Sequence, residues 1–339
     1  MKNETQKRSF LERKNIEISV QRYGIDAMGS MAQGLFASLI VGLILKVLGE
    51  KLGISILLDL GIRAMSMMGP SIGVAVAYGL KAPLLVLLPS TITGAAGAQL
   101  GGPAGAFVAA VIGTEFGKLV SKETKLDIIV TPAVTITLGV FAGMTIGPVI
   151  DIFMSGLGQV IMRATELHPI PMGILVSVIM GLILTLPISS AAIAIMLQLG
   201  GLAAGAATAG CCAQMIGFAV ASYRENGVGG LLSQGLGTSM LQIPNIIKNP
   251  YIWIPPTLAS AILGPVATTI LPMENIPEGA GMGTSGLVGQ FCTIEIMGLS
   301  ALPKIFILHF ILPAILTLAI SEFMRKKGYI KNGDMKLDV

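Results

Sequence analysis

Glu295 follows Gln290 by five residues and Thr293 by two, inside an apolar, glycine-rich segment (277–298) in which no basic side chain appears before Lys304. A carboxylate held by such a turn, beside an amide and a hydroxyl, can bond the hydroxyls of a polyhydric solute. If desolvated, it can also take up a proton. A second cluster, Glu166 and His168, precedes Pro169 and Pro171 in the run ELHPIP. The prolines stiffen the turn, and the cluster combines an acceptor with a titratable imidazole. Other candidates lie among small residues: Thr93 and Gln99 in TITGAAGAQLGGPAG, and Gln214 in GGLAAGAATAGCCAQ. Gln234 in GVGGLLSQGLG and Gln290 in GAGMGTSGLVGQ complete a set of four amides in four stretches of one texture. The expected substrate-binding residues are therefore Glu295, Gln290, Thr293, His168, Gln99, Thr93 and Gln214.

Other chemistries find no support. Cys211, Cys212 and Cys292 lack metal-ligand spacing and a disulfide framework, and read as small apolar residues. Walker, HExxH, nucleophile-elbow and dinucleotide motifs are missing, so no cofactor, metal or catalytic residue is expected. Asp59 and Arg63, four apart, are expected to pair on a helix face, and His309 to be hydrogen-bonded within the bundle. Glu274 and Glu278 read as solvated loop acids.

The elements that must position these residues are membrane helices. From Pro169 to Tyr223 there is no Asp, Glu, Lys, Arg or His, which is enough for two crossings of about 20 residues each. Hydrophobic residues make up 53% of the chain and charged residues 12%, against about 25% charged in soluble domains. The net charge of +4 comes from basic tails, since half of the 22 Lys and Arg fall before residue 23 or after residue 324. They read as topology signals that keep both termini cytoplasmic and require an even number of crossings, with no nucleic-acid partner. No cleavable signal peptide is visible.

Spans are expected near 27–46, 54–80, 82–118 (too long for one crossing), 128–150, 170–196, 198–223, 228–247, 251–273 and 303–324, with an amphipathic stretch at 151–163. The 43 glycines and 18 prolines imply helices that are broken, re-entrant or closely packed. Free backbone groups at membrane depth survive only inside protein or beside a watery cavity. A weak repeat, in which a small-residue stretch leads to a span ending in Gly-Pro, occurs at 91–148 and 200–265. The expected fold is an all-α integral membrane protein of about ten transmembrane helices with Gly-rich hairpins and a possible two-fold repeat. It divides into a basic amphipathic segment (1–26) along the inner membrane face, a membrane domain (27–325) and a basic tail (326–339).

The ELHPIP loop, the span GILVSVIMGLILTLPISSAAIAIML and the glycine-rich element ending in TIE resemble the stand-alone EIIC-type membrane components of the bacterial phosphotransferase system, within the branch of perfringolysin O regulator-like proteins. The resemblance implies a permease for a sugar or polyol in the bacterial inner membrane, working by alternating access, and a homodimer. Glucose-type relatives carry a Gly-Ile-Thr-Glu element whose Glu binds sugar. Here the stretch reads Cys292, Thr293, Ile294, Glu295, so only Glu295 falls in place, and His168 is a weaker analogue of the family's histidine. Nothing resembles an EIIB or EIIA domain, and the tails are too short to bury one. Any phosphoryl donor is then a separate protein, and the chain is not catalytic by itself. The competing reading is a membrane sensor or regulator on the same scaffold that signals without net transport.

Overall fold

The computed structural model describes residues 10–337, and among them the chain is helical with no strand. Six helices are long and apolar enough to cross a membrane, or up to seven if one broken pair counts as a span. In chain order the helices that matter are α1 (Gln21–Glu50), α2 (Ser55–Ser66), α3 (Met68–Gly79), α4 (Leu84–Gln99), α5 (Gly101–Val120), α6 (Asp127–Thr165), α7 (Pro169–Thr185), α8 (Gly201–Ala221), α9 (Tyr223–Leu232), α10 (Pro250–Ile270), α11 (Val288–Met297) and α12 (Leu299–Lys326). The broken pair is α2 and α3, interrupted at Met67. The stretch 151–163, expected as a separate amphipathic element, continues α6 to Thr165. Asp59 and Arg63 are both exposed on α2, and neither forms an ion pair among the described residues.

The chain divides into two compact units, Met1–Leu35 with Met68–Val149, and Phe36–Met67 with Ile150–Val339. In the first, the overlong apolar run 82–118 becomes a helical hairpin. Gly101 and Gly102 leave helical geometry, and Gly102 takes φ +57°, a conformation that costs a side-chain-bearing residue. Pro103 then opens the second arm, where its missing N–H matters least. The arms touch at Gly97 and Gly105: a Cβ on either would stand 2.3 Å from the other's carbonyl oxygen.

The basic N-terminal segment is fastened to this unit by buried cations. Lys118 is only 2% exposed; its Nζ donates to the carbonyls of Asn15 at 2.7 Å and Leu80 at 3.1 Å and pairs with Glu115 at 2.9 Å. Arg22, also buried, donates to the Leu80 carbonyl at 2.6 Å. Lys14 bonds the Ser121 carbonyl and pairs with Glu123. The basic residues of this segment thus do more than mark topology.

In the second unit, α8 is the central element, with sixteen of its residues buried. Its neighbours approach over glycines. A Cβ at Gly210 would stand 2.0 Å from the Ser177 carbonyl oxygen of α7, and one at Gly205 would stand 1.8 Å from that of Met273. Ser177 and Ser260 use these close approaches for hydroxyl bonds to the carbonyls of Ser260 (2.7 Å) and Gly210 (3.1 Å). The small-residue stretch at 200–214 is therefore an unbroken, closely packed helix, whereas the stretches around Gly102, Gly227 and Gly283 are broken.

Removing one member of a buried ion pair strands the other's charge, at a cost of roughly 3–5 kcal/mol. Lys118→Met is expected to lower the melting temperature of the detergent-solubilised protein sharply, and Glu115→Gln on the same chain to restore most of the loss. A melting temperature unchanged in Lys118→Met would show the pair to be dispensable.

Candidate functional site

The glycine-rich segment after α10 folds back over α8. Its entry is pinned by Asn275, fully buried, whose backbone exchanges bonds with Gly201 and whose Nδ2 donates to Thr208 Oγ1 (2.8 Å) and the Gly289 carbonyl (3.0 Å). Ser190 Oγ holds the Gly281 carbonyl at 2.6 Å. Gly283 and Gly286 both sit at φ +54°, and Leu287 at +60°, so the chain reverses tightly before α11 begins. A Cβ at Gly283 would stand 2.9 Å from Cys211, which explains why small residues face each other here. The turn borders a cavity of about 220 Å³ lined by apolar side chains, among them Ile44, Val47, Leu236, Leu287 and Phe291. Next to it Ser285 is 2% exposed and its hydroxyl has no partner among the described residues.

Along α11, Gln290 and Thr293 occupy the buried face. Gln290 Nε2 lies 3.1 Å from Nδ1 of His309 on α12 and 3.5 Å from Cys212 Sγ. Gln290 Oε1 and His309 Nε2 are buried and have no partner among the described residues. Because an amide nitrogen only donates, His309 Nδ1 accepts and its Nε2 carries the ring proton, so the pair presents one free acceptor, Gln290 Oε1, and one free donor, His309 Nε2. Thr293 turns its hydroxyl back to the Gly289 carbonyl at 2.8 Å. Glu295 is exposed, since five residues of helix rotate it about 140° from Gln290.

The other predicted site residues are spread through the structure. Gln214 on α8 is consumed in packing: Oε1 accepts from Thr185 (3.2 Å) and Trp253 (3.1 Å), and Nε2 donates to Thr257 (3.2 Å). His168 is exposed at the start of α7, where the following Pro169 carbonyl accepts from Thr268 at 2.8 Å. Thr93 and Gln99 belong to the first unit; Thr93 is buried and bonds the Ser90 carbonyl at 3.0 Å, and Gln99 is exposed beside the hairpin tip. Gln290 and Thr293 are therefore brought together, and Glu295 is turned away from them. His309 was read from sequence only as a bonded bundle residue, and Asn275 gave no signal beyond a polar side chain ahead of Ile276 and Pro277. Among the described residues, no group of three or more His, Cys, Asp or Glu side chains could hold a metal ion.

The family described as Phosphotransferase system, EIIC, matches residues 25–337, nearly the whole chain. The chain belongs to that family. No curated protein and no solved structure matches it. It is thus a multi-pass EIIC membrane component of the permease class, whose members work with EIIB and EIIA proteins on sugar substrates.

An aspartate at position 275 keeps the side chain's size but cannot donate to Thr208 and Gly289. Asn275→Asp is therefore expected to destabilise the EIIC fold by about 1–3 kcal/mol, the cost of stranding buried polar groups. Thermal unfolding in detergent checks it.

Proposed function

We propose that this EIIC protein carries a small polar solute, a sugar or related polyol, by alternating access around the glycine-rich element. The observation that supports this is the buried Gln290–His309 pair, whose free acceptor and free ring nitrogen are matched to solute hydroxyls. Such atoms are costly in an apolar interior unless something bonds them during the working cycle. Thr293 stands on the same helix face, and Ser285 beside the apolar cavity offers a further hydroxyl. Glu295, the residue that matches the family's sugar-binding carboxylate, meets the solute in a second conformation in which α11 has turned. His168 is a secondary contact in this reading.

The protein lies in the bacterial inner membrane as a homodimer, with both termini in the cytoplasm and about ten crossings. That number counts the shorter apolar helices Leu84–Gln99 and Pro169–Thr185 and the broken elements beside the six long spans. The two halves of the repeat, 91–148 and 200–265, are counterparts in it. Separate EIIB and EIIA proteins deliver the phosphoryl group, and the chain performs no catalysis without them.

A second reading, that of a sensor of the perfringolysin O regulator-like branch that signals without flux, is favoured by one feature. The C-terminal segment is docked on the broken region after α8 by Asn226, Gln242 and Asn245, so a change there reaches the tail.

Uptake of labelled hexoses and hexitols by membrane vesicles supplied with phosphorylated EIIB and EIIA separates the readings. Saturable uptake is expected, with Gln290→Leu raising KM about tenfold or more, the equivalent of one lost hydrogen bond to a buried group. Glu295→Gln is expected to weaken uptake strongly, and unchanged uptake would remove Glu295 from the site. Solute binding without any flux would favour the sensor.

A further inference from the structure

The cavity beside the glycine-rich turn, about 220 Å³ in volume and open on one side, is lined entirely by residues of the second unit. One wall is the last part of α1, with Ile44, Val47 and Leu48; the other is the turn itself, with Leu287 and Phe291. The α1 wall leads inward from the lipid side. Val41 and Leu48, both exposed, lie seven residues apart and so share a face of a helix that is long and apolar enough to cross the membrane. Ile44 and Val47 stand about 40° and 100° round from Leu48. Exposure falls along that path: Leu48 is 45% exposed, more than any other lining residue, Ile44 is half-buried and Val47 is 9% exposed. The mouth therefore lies at the surface that lipid covers, and apolar space runs from there to the turn.

A lining of this kind selects its occupant. A sugar placed here would give up its hydrogen bonds to water and find none in return. Water is no better suited, since an apolar cavity of about 150 Å³ lined by Leu, Ile and Phe stays dry and takes benzene or xenon instead. Walls that face a void lose their dispersion partners, and a hydrocarbon chain entering from the bilayer restores them without desolvating anything. The depth also fits. Glu50, 45% exposed and 3.6 Å from Lys46, marks the polar end of the α1 span, and Ile44 to Leu48 lie roughly 3–9 Å deeper, where the upper part of a chain runs below its headgroup.

We propose that this cavity binds one acyl chain of a bilayer phospholipid, wedged between α1 and the turn that begins α11. Leu287, at φ +60°, caps α11 and Phe291 lies in its first turn, so the chain bears on the start of the helix that carries Gln290 and Thr293. Those two buried residues look elsewhere, about 100° and 160° round from Phe291. A filled cavity braces α11 in the orientation described, and an emptied one removes that support. The lipid site stands on its own; only its consequence for solute movement, through the turning of α11, rests on the transport reading.

The probe is a phosphatidylglycerol brominated on its acyl chains near the glycerol end, added to the protein in detergent, with quenching of tryptophan fluorescence as the readout. Trp253 is the single tryptophan of the chain, and its signal in the unsubstituted protein is subtracted. Phe291→Trp reports on the cavity, and Phe306→Trp, at a position 59% exposed on α12, reports on ordinary lipid contact. Quenching in Phe291→Trp is expected to reach a plateau at a single lipid, whereas in Phe306→Trp it rises in proportion to the lipid added. Adding Val47→Phe, which fills the cavity, is expected to weaken the saturable phase at least about tenfold, the equivalent of two methylenes kept out. Leu48→Gln, at the exposed mouth, makes the same test if Val47→Phe does not fold. The proposal is overturned if Phe291→Trp follows Phe306→Trp, or if neither substitution shifts the plateau. Disulfide-linked dimers of Leu48→Cys together with an unquenched Phe291→Trp would put a second copy over the mouth and overturn it as well. None of these readouts follows solute, so an absent lipid site leaves the transport reading standing, and failed uptake leaves the lipid site standing.

Discussion

Lipid offers no partner to a backbone N–H or C=O, and every break in a membrane helix must therefore be satisfied inside the protein. In the second unit the remedy is close approach. Glycines on α8 bring the Ser177 and Met273 backbones to positions where any side chain would collide. Small hydroxyls and one amide then take up the exposed carbonyls: Ser177, Ser260, Ser190 and Asn275 each reach across to another segment. With no hydrophobic gain between helices in hydrocarbon, such packing and such bonds are what hold a bundle of this kind together.

The same constraint sorts the buried polar residues. Gln214 and Gln234 have partners on both amide atoms: Gln234 bonds Ser222 and the Gly230 carbonyl and accepts from Gln242. Their amides are engaged in holding helices, which leaves little capacity for a ligand. Gln290 differs because its partner is an imidazole and its oxygen stays free. A satisfied network specifies structure, and an incompletely satisfied one marks where something else binds. That distinction, more than polarity itself, separates scaffold from site in this EIIC protein.

Sequence texture identified the membrane class, the glycine-rich element and three of its four broken stretches, because glycine at positive φ and proline leave direct marks in composition. It left the fourth open between a break and close packing. GGLAAGAATAGCCAQ carries the same letters as the others, yet folds as an intact helix, since small residues serve close packing as readily as breaks. Helical phase also decided what residue types alone could not. Gln290, Thr293 and Glu295 looked like one constellation by proximity in the chain, but the rotation of α11 buries the first two and exposes the third. Asp59 and Arg63 met the spacing rule for a pair without forming one. His309 lacked any motif around it; its partner Gln290 is nineteen residues away and reaches it only in three dimensions.

The C-terminal segment shows how far the bundle extends beyond its lipid-facing spans. Asn226 pairs with it as a strand would, donating to the Met335 carbonyl and accepting from the Leu337 N–H, while Gln242 and Asn245 hold the carbonyls of Met335 and Lys336. Ile330 and Met335 are buried with Phe218 and Ile252 in one apolar cluster. A basic segment that needed only to mark the cytoplasmic side would have no reason to spend so many buried amides. These bonds tie it to the break at Gly227 and the loosened turn at Ser233–Gly237 that follows. Motion of that break must therefore either carry the segment with it or release it, and this makes Tyr329–Leu337 a structural part of the membrane domain, not a free tether.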